Sequence, residues 1–174
     1  SLAQARVIAV AAVAAASAPA VASGVPAGSL IENTATATYT ANLTSQSVDS
    51  NTVSLTVDEV LDVAVASQES GLVPATSTAV LRFKVTNTGN GPEAFTLTAN
   101  PAVTGNAFDA VVTGIAIDVN ANGIYDAGID TALANGAASP VLAADQPLDV
   151  LVLVSIPAGA AGNATSKVEL TAAA

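Results

Sequence analysis

From residue 30 onward the chain carries short runs that alternate apolar and polar residues with a period of two, and nothing after residue 28 repeats at the helical period between capping residues. A strand points successive side chains to opposite faces, so this pattern describes half-buried sheet. In LIENTATATYT, residues 30–40, Ile31, Ala35, Ala37 and Tyr39 fall on one side and Glu32, Thr34, Thr36 and Thr38 on the other. NTVSLTV repeats the pattern with Val53, Leu55 and Val57 facing in, and LDVAVAS with Leu61, Val63 and Val65; the polar SQSVDSN between the first two runs reads as a hairpin loop. TAVLRFKVTNT sends Leu81, Phe83 and Val85 inward and Arg82, Lys84 and Thr86 outward, then stops at a turn marked by Asn90, Gly91 and Pro92. EAFTLTAN, with Phe95 and Leu97, is expected to pair with it as an antiparallel hairpin.

The remaining strands are AVVTGIAID, LDVLVLVSIP and SKVELTAA. LDVLVLVSIP is apolar on both faces and belongs at the centre of a sheet, while Pro140, Pro147 and Pro157 mark loops or strand ends. About eight or nine such strands at short spacing predict an all-β fold, an Ig-like antiparallel β-sandwich. A chain of 174 residues, 51% of them hydrophobic, can bury one good core. That core is made of small aliphatic groups, because Phe83, Phe95, Phe108, Tyr39 and Tyr125 are the only aromatic residues. The expected organisation is an apolar N-terminal segment over residues 1–22, a Pro/Gly/Ser/Ala linker over 23–29, and one sandwich domain over 30–174.

Charge and missing residue types remove several functions. Fourteen acidic against four basic residues give a net charge of -10, and Arg6, Arg82, Lys84 and Lys167 are scattered, which argues against nucleic acid as a partner. The chain has no cysteine and no histidine, so thiol chemistry, zinc-thiolate sites and the commonest general base are excluded. Serines and threonines have no visible route of activation, the acidic pair Asp58 with Glu59, and Asp145 with Asp149 if their loop folds back, lack an accompanying base, and Lys84 lies on a polar face. The expectation is that the chain is not an enzyme.

NTATATYT, SNTVSLTVDEVLDV, FKVTNTGNGPEAFTLTAN and IAIDVNANGIYDAGID together resemble the DUF11-type repeat domains of bacterial surface proteins, over roughly residues 28–172. The resemblance implies an Ig-like sandwich, a secreted or cell-surface structural role and no shared catalytic site. The TNTGNGPEAFTLT stretch is its most recognisable part.

Asp118, Asn120, Asn122, Ile124, Asp126 and Asp130 surround Gly123 with the spacing of a calcium loop. Oxygen ligands at alternate positions converge on one centre only if the backbone turns sharply, and glycine permits that turn. Ile124 would contribute its backbone carbonyl. Calcium, in a structural role, is therefore the expected cofactor, and the competing reading is an Asx-rich loop that caps its own backbone.

Residues 1–22 combine Arg6, an Ala/Val run and a small-residue end at Ala20, Val21 and Ala22, the features of a secretory signal peptide. The chain contains no methionine, and the segment is expected to be kept in the mature protein. RVIAVAAVA is apolar on both faces, as a strand buried between two sheets would be, and Val7, Ile8, Val10 and Val13 are its candidate assembly residues. The expected function is a structural subunit of an extracellular filament, a homopolymer built head to tail by docking this segment into the neighbouring sandwich. Export through the general secretory route would bring the chain past a membrane only in transit. The alternative is a secreted monomeric binding or adhesion module whose first 22 residues are a cleaved signal.

Overall fold

The computed structural model describes residues 24–41 and 43–174. The chain divides into two units between Asp58 and Glu59. Every strand pair among the described residues is antiparallel, and none of these residues is helical.

The first unit is one long two-stranded ribbon. Its strands β1 (Leu30–Asn33) and β2 (Thr36–Ala41) run out and β3 (Thr44–Asp49) and β4 (Val53–Thr56) run back, with β1 on β4 and β2 on β3. Where the two halves meet, the Ser50 N–H donates to the Ala35 carbonyl at 2.8 Å and the Ala35 N–H to Ser50 Oγ at 2.9 Å. The polar stretch expected to be a hairpin loop is therefore mostly strand β3. The reversal lies between Ala41 and Thr44, where Leu43 takes a left-handed φ of 63°. Ser, Thr and Gln suit a strand whose both faces meet water, so polarity alone did not mark the turn.

Directly opposed residues of an antiparallel pair share a face. In the β1–β4 half Ile31 with Leu55 and Asn33 with Val53 share a face, and in the β2–β3 half Ala37 with Val48 and Tyr39 with Gln46 share a face opposite Thr36 with Asp49 and Thr38 with Ser47. The alternation was legible, but the expected burial is not found: every residue of β1 to β4 is exposed. Leu61, expected to face inward just beyond the ribbon, is exposed as well.

The second unit is a β-sandwich. A five-stranded sheet has the order β5 (Val63–Ser67), β6 (Thr78–Asn87), β11 (Pro147–Ser155), β8 (Val111–Ile117) and β9 (Thr131–Leu133). The three-stranded sheet has the order β10 (Ala137–Ala138), β7 (Thr96–Asn100) and β12 (Glu169–Ala173). Val85, Phe95, Leu97, Ile115, Val150, Val152 and Leu170 from the two sheets form one buried cluster.

Pairing of β6 with β7 is corrected. β6 bonds to β5 and β11, whereas β7 lies in the other sheet against β12 and β10. The apolar patterns of β6 and β7 match because both strands face the same core, from opposite sides. The crossing is fixed by Asn87, which is fully buried at the end of β6. Its Nδ2 donates to the carbonyls of Gly91 at 2.8 Å and Leu142 at 2.9 Å, and its Oδ1 accepts the Gly89 N–H at 2.9 Å. Gly89 sits so close to the Val60 carbonyl that a Cβ would overlap it, and its N–H donates to the Asp62 carbonyl at 3.2 Å.

β11 is central, as its two apolar faces require. Val150, Val152 and Val154 join the inter-sheet core, and Leu151, 1% exposed, is opposed by Arg82 and Ala116 on the outer face of the sheet.

Candidate docking cleft and candidate metal loop

Residues 68–77, which join β5 to β6, and residues 156–168, which join β11 to β12, run without strand structure past the same end of the sandwich. Between them lies a cleft of about 890 Å³. Its apolar lining includes Ala79, Leu81 and Phe83 from β6, Val154 from β11, and Phe108. Leu72 and Val73 stand on one wall, and the small residues Ala160, Ala161, Gly162 and Ala164 on the other. The alternation that sends Phe83 into the core thus continues to Leu81 and Ala79, which are only partly buried.

The walls differ in how they are held. Among the described residues, 70–76 make no hydrogen bond, so the backbone groups of that wall are without protein partners. The other wall is tied at one end by Asn106, whose Oδ1 accepts the Lys167 N–H at 2.7 Å and whose Nδ2 donates to the Lys167 carbonyl at 3.0 Å. Both adjoining strands, β5 and β12, are sheet edges. β5, with the sequence VAVAS, carries no charge or proline, the devices that usually blunt an edge.

Two charged residues, Glu69 and Lys167, are part of the lining. Glu69 is tied down: its Oε2 accepts from Arg82 Nη2 at 2.9 Å, and its Oε1 accepts from Arg82 Nε at 3.0 Å and the Arg82 backbone N–H at 2.8 Å. The Arg82 side-chain hydrogen bond is the main cause holding the Glu69 carboxyl below the ordinary carboxylate range. Lys84, on the polar face of the sheet as its strand alternation requires, is paired with Asp149 at 2.9 Å. The cleft therefore offers apolar surface and free backbone groups, the features that hold an extended peptide.

The loop between β8 and β9 carries the candidate metal ligands. Asp118 Oδ1 accepts the Asn122 N–H at 3.2 Å and its Oδ2 the Gly123 N–H at 2.7 Å, with Gly123 at φ 75°. Asp130 takes the N–H groups of Val119 at 3.1 Å and Asp126 at 2.7 Å. The Ile124 N–H donates to Asn122 Oδ1 at 2.8 Å. These bonds are Asx caps, and the loop satisfies itself. No buried side-chain polar atom among the described residues is left without a partner.

Four of the six expected ligands nevertheless converge. Asn120 Nδ2 at 3.0 Å and Asn122 Nδ2 at 2.7 Å both donate to Asp126 Oδ2, and these amides, Asn120 first, lower the Asp126 pKa. Asp118 closes the same turn. A cation at that centre would need both amides to turn their oxygens inward, releasing the Asx bonds they now accept. Among the described residues no three carboxylates are placed to hold a metal ion, so any site here would depend on the asparagine and backbone oxygens. The loop also has a packing role, because Gly123 lies against the Arg82 side chain, where a Cβ would come within 3.0 Å of Cδ.

Val7, Ile8, Val10 and Val13 lie outside the described residues. Asn87, Gly89 and Asn106, which organise the crossing and the cleft wall, were not singled out in the sequence; the Asn-Thr-Gly spacing at residues 87–89 was the available signal for the first two. The chain matches no family model, no curated protein and no solved structure.

Proposed function

We propose that this chain is a structural subunit of an extracellular filament, assembled head to tail when the N-terminal segment of one copy docks into the sandwich of the next. The observation that carries the reading is the cleft of about 890 Å³. Strands lie about 4.8 Å apart and packed sheets about 10 Å apart, so a cavity of that volume corresponds to a slot about 19 Å long, or about six residues of strand. RVIAVAAVA supplies such a run without a charge after Arg6. In a strand Ile8 and Val10 share one side and Val7 and Val13 the other, and the alanines between them let the backbone lie deep. A head-to-tail exchange of this kind does not close on itself and so propagates. The resemblance to DUF11-type domains supports an exported, surface-located, Ig-like module with no catalytic role.

Negative-stain microscopy of the full chain and of a chain lacking residues 2–13 tests the proposal. The full chain is expected to form filaments and the shortened one to remain monomeric by sedimentation. Filaments that persist without the segment overturn the docking mechanism. Absence of filaments from both chains, with Ser23 as the N-terminus of the native protein, leaves the secreted monomeric surface module.

A second reading concerns the loop after β8. The convergence of Asn120, Asn122 and Asp126 favours a structural calcium ion held with Asp118, Asp130 and the Ile124 carbonyl. Thermal melts with calcium and with a chelator decide it: a higher Tm with calcium supports the ion, and superimposable melts assign the loop to self-capping alone.

A further inference from the structure

β6 has ten residues and its neighbour β5 only five, so β5 covers half of that side of β6. Their register runs from Val63 opposite Asn87 to Ser67 opposite Phe83, and among the described residues no strand continues it beside residues 78–82. On its other side β6 pairs with β11 all the way to Thr78, opposite Ser155.

Parity along the strand identifies the backbone groups left open. In an antiparallel strand the N–H and C=O of one residue point to the same side, and those of the next residue to the other. Arg82 points both to the β5 side: its carbonyl accepts the Gln68 N–H at 2.9 Å, and its N–H donates to Glu69 Oε1 at 2.8 Å. Ser77 points the opposite way, its carbonyl accepting the Ile156 N–H at 2.8 Å just beyond β11. Val80 and Thr78 keep step with Arg82. Their N–H and C=O groups therefore face the lane that β5 has left, where no group among the described residues bonds to them. The side chains that alternate with them, Ala79 and Leu81, line the cleft. Apolar lining and an unpaired strand edge thus form one site.

We propose that residues 7–16 of a neighbouring copy add to β6 as a strand in this lane, bonding to the backbone of Thr78 and Val80 and sending alternate side chains into the cleft. This rests on the docking reading above and assigns it a strand edge. The sequence selects the occupant. VIAVAAVAAA, residues 7–16, is its longest run without a polar residue, glycine or proline, and the next, residues 150–154, is already at the centre of the five-stranded sheet. Every residue of 7–16 carries an N–H for the ladder. The chain's own wall at 70–76 is the poorer match, because Pro74 has no N–H and Gly71 weakens a strand.

Val80→Pro in the full chain tests the lane. Proline there removes an N–H that faces away from β11, the placement a sheet tolerates. V80P is expected to melt cooperatively near the native Tm and to form filaments roughly tenfold more slowly by light scattering. L81P removes an N–H that points at β11 and is expected to lose the cooperative melt. Residue-resolved hydrogen exchange of the native chain reads the same edge without a substitution, and decides alone if V80P does not fold. In dilute, low-salt solution the Val80 amide is expected to exchange freely while the Leu81 amide is protected; in filaments both are protected. Filaments from folded V80P at the native rate, or a Val80 amide that gains no protection in filaments, overturn the lane and leave docking standing. A Val80 amide already protected before assembly also overturns it, by showing the lane filled from within the same copy. A native chain that forms no filaments overturns the docking reading, and this proposal with it.

Discussion

Asn87 does the work of several backbone groups. A strand ending in a buried position needs partners for the carbonyls and N–H groups of the departing chain, and one carboxamide serves Gly91, Leu142 and Gly89 together. Asn87→Ala removes all three hydrogen bonds, leaving the Leu142 carbonyl only its bond from the Glu93 N–H and the Gly89 N–H only its 3.2 Å bond to the Asp62 carbonyl, and a loss of about 2–4 kcal/mol is expected in urea unfolding. Asn87→Asp is expected to be no better, since it keeps the acceptor for Gly89 but sets a carboxylate against two carbonyls. Gly89→Ala destabilises for a different reason, the overlap of its Cβ with the Val60 carbonyl, so restoring a hydrogen-bond partner elsewhere will not rescue it. Glu69 makes the pH prediction. Its carboxyl is held below the ordinary range by Arg82, so its contribution is complete above the unfolded value of about 4.3 and is lost as pH falls through the lower folded value. The gap in Tm between the native chain and Glu69→Gln is therefore expected to be widest near pH 7 and to close on acidification below about pH 4. A gap that widens in acid would refute the assignment.

At the scale of elements, period-two alternation located β6, β8, β11 and β12 and named the inward residues Leu81, Phe83, Val85 and Leu170, because burial on one side is what alternation encodes. What it does not encode is which sheet covers that side. Phe83 and Leu97 alternate alike in sequence and lie in opposite sheets of one core; Ile31 and Leu55 alternate alike too and lie on an open ribbon. The turn near Leu43 was illegible for a related reason: the turn-forming composition lay in SQSVDSN, whereas the reversal uses a non-glycine residue at positive φ. The Asx loop was legible as a cluster, because its spacing puts side chains on one turn, but spacing alone does not distinguish an ion from the N–H groups the same oxygens accept. Among the described residues no strand pair crosses the boundary between Asp58 and Glu59. Residues 59–174 made alone are therefore expected to unfold in one cooperative transition with the urea midpoint of the main transition of the full chain. A fragment that fails to fold would show that the ribbon is required for the sandwich.

For the whole molecule the dominant quantity is charge. Fourteen acidic and four basic residues leave every copy at -10, so any assembly brings like-charged bodies together whatever segment joins them. The docking cleft is largely apolar, and an association driven by apolar burial against long-range repulsion has a definite ionic signature. Added salt shortens the Debye length from about 30 Å at 0.01 M to about 10 Å at 0.1 M, weakening repulsion between subunits while leaving buried apolar contacts nearly untouched. Filament growth followed by light scattering is therefore expected to accelerate from low to moderate sodium chloride. Lowering the pH from neutrality toward the sequence pI of about 4.1 should act in the same direction by discharging carboxylates. Were assembly driven by opposite charges meeting across the interface, salt would slow it instead. Growth that falls steadily with sodium chloride would thus rule out apolar docking as the driving contact, independently of which segment of the chain supplies it.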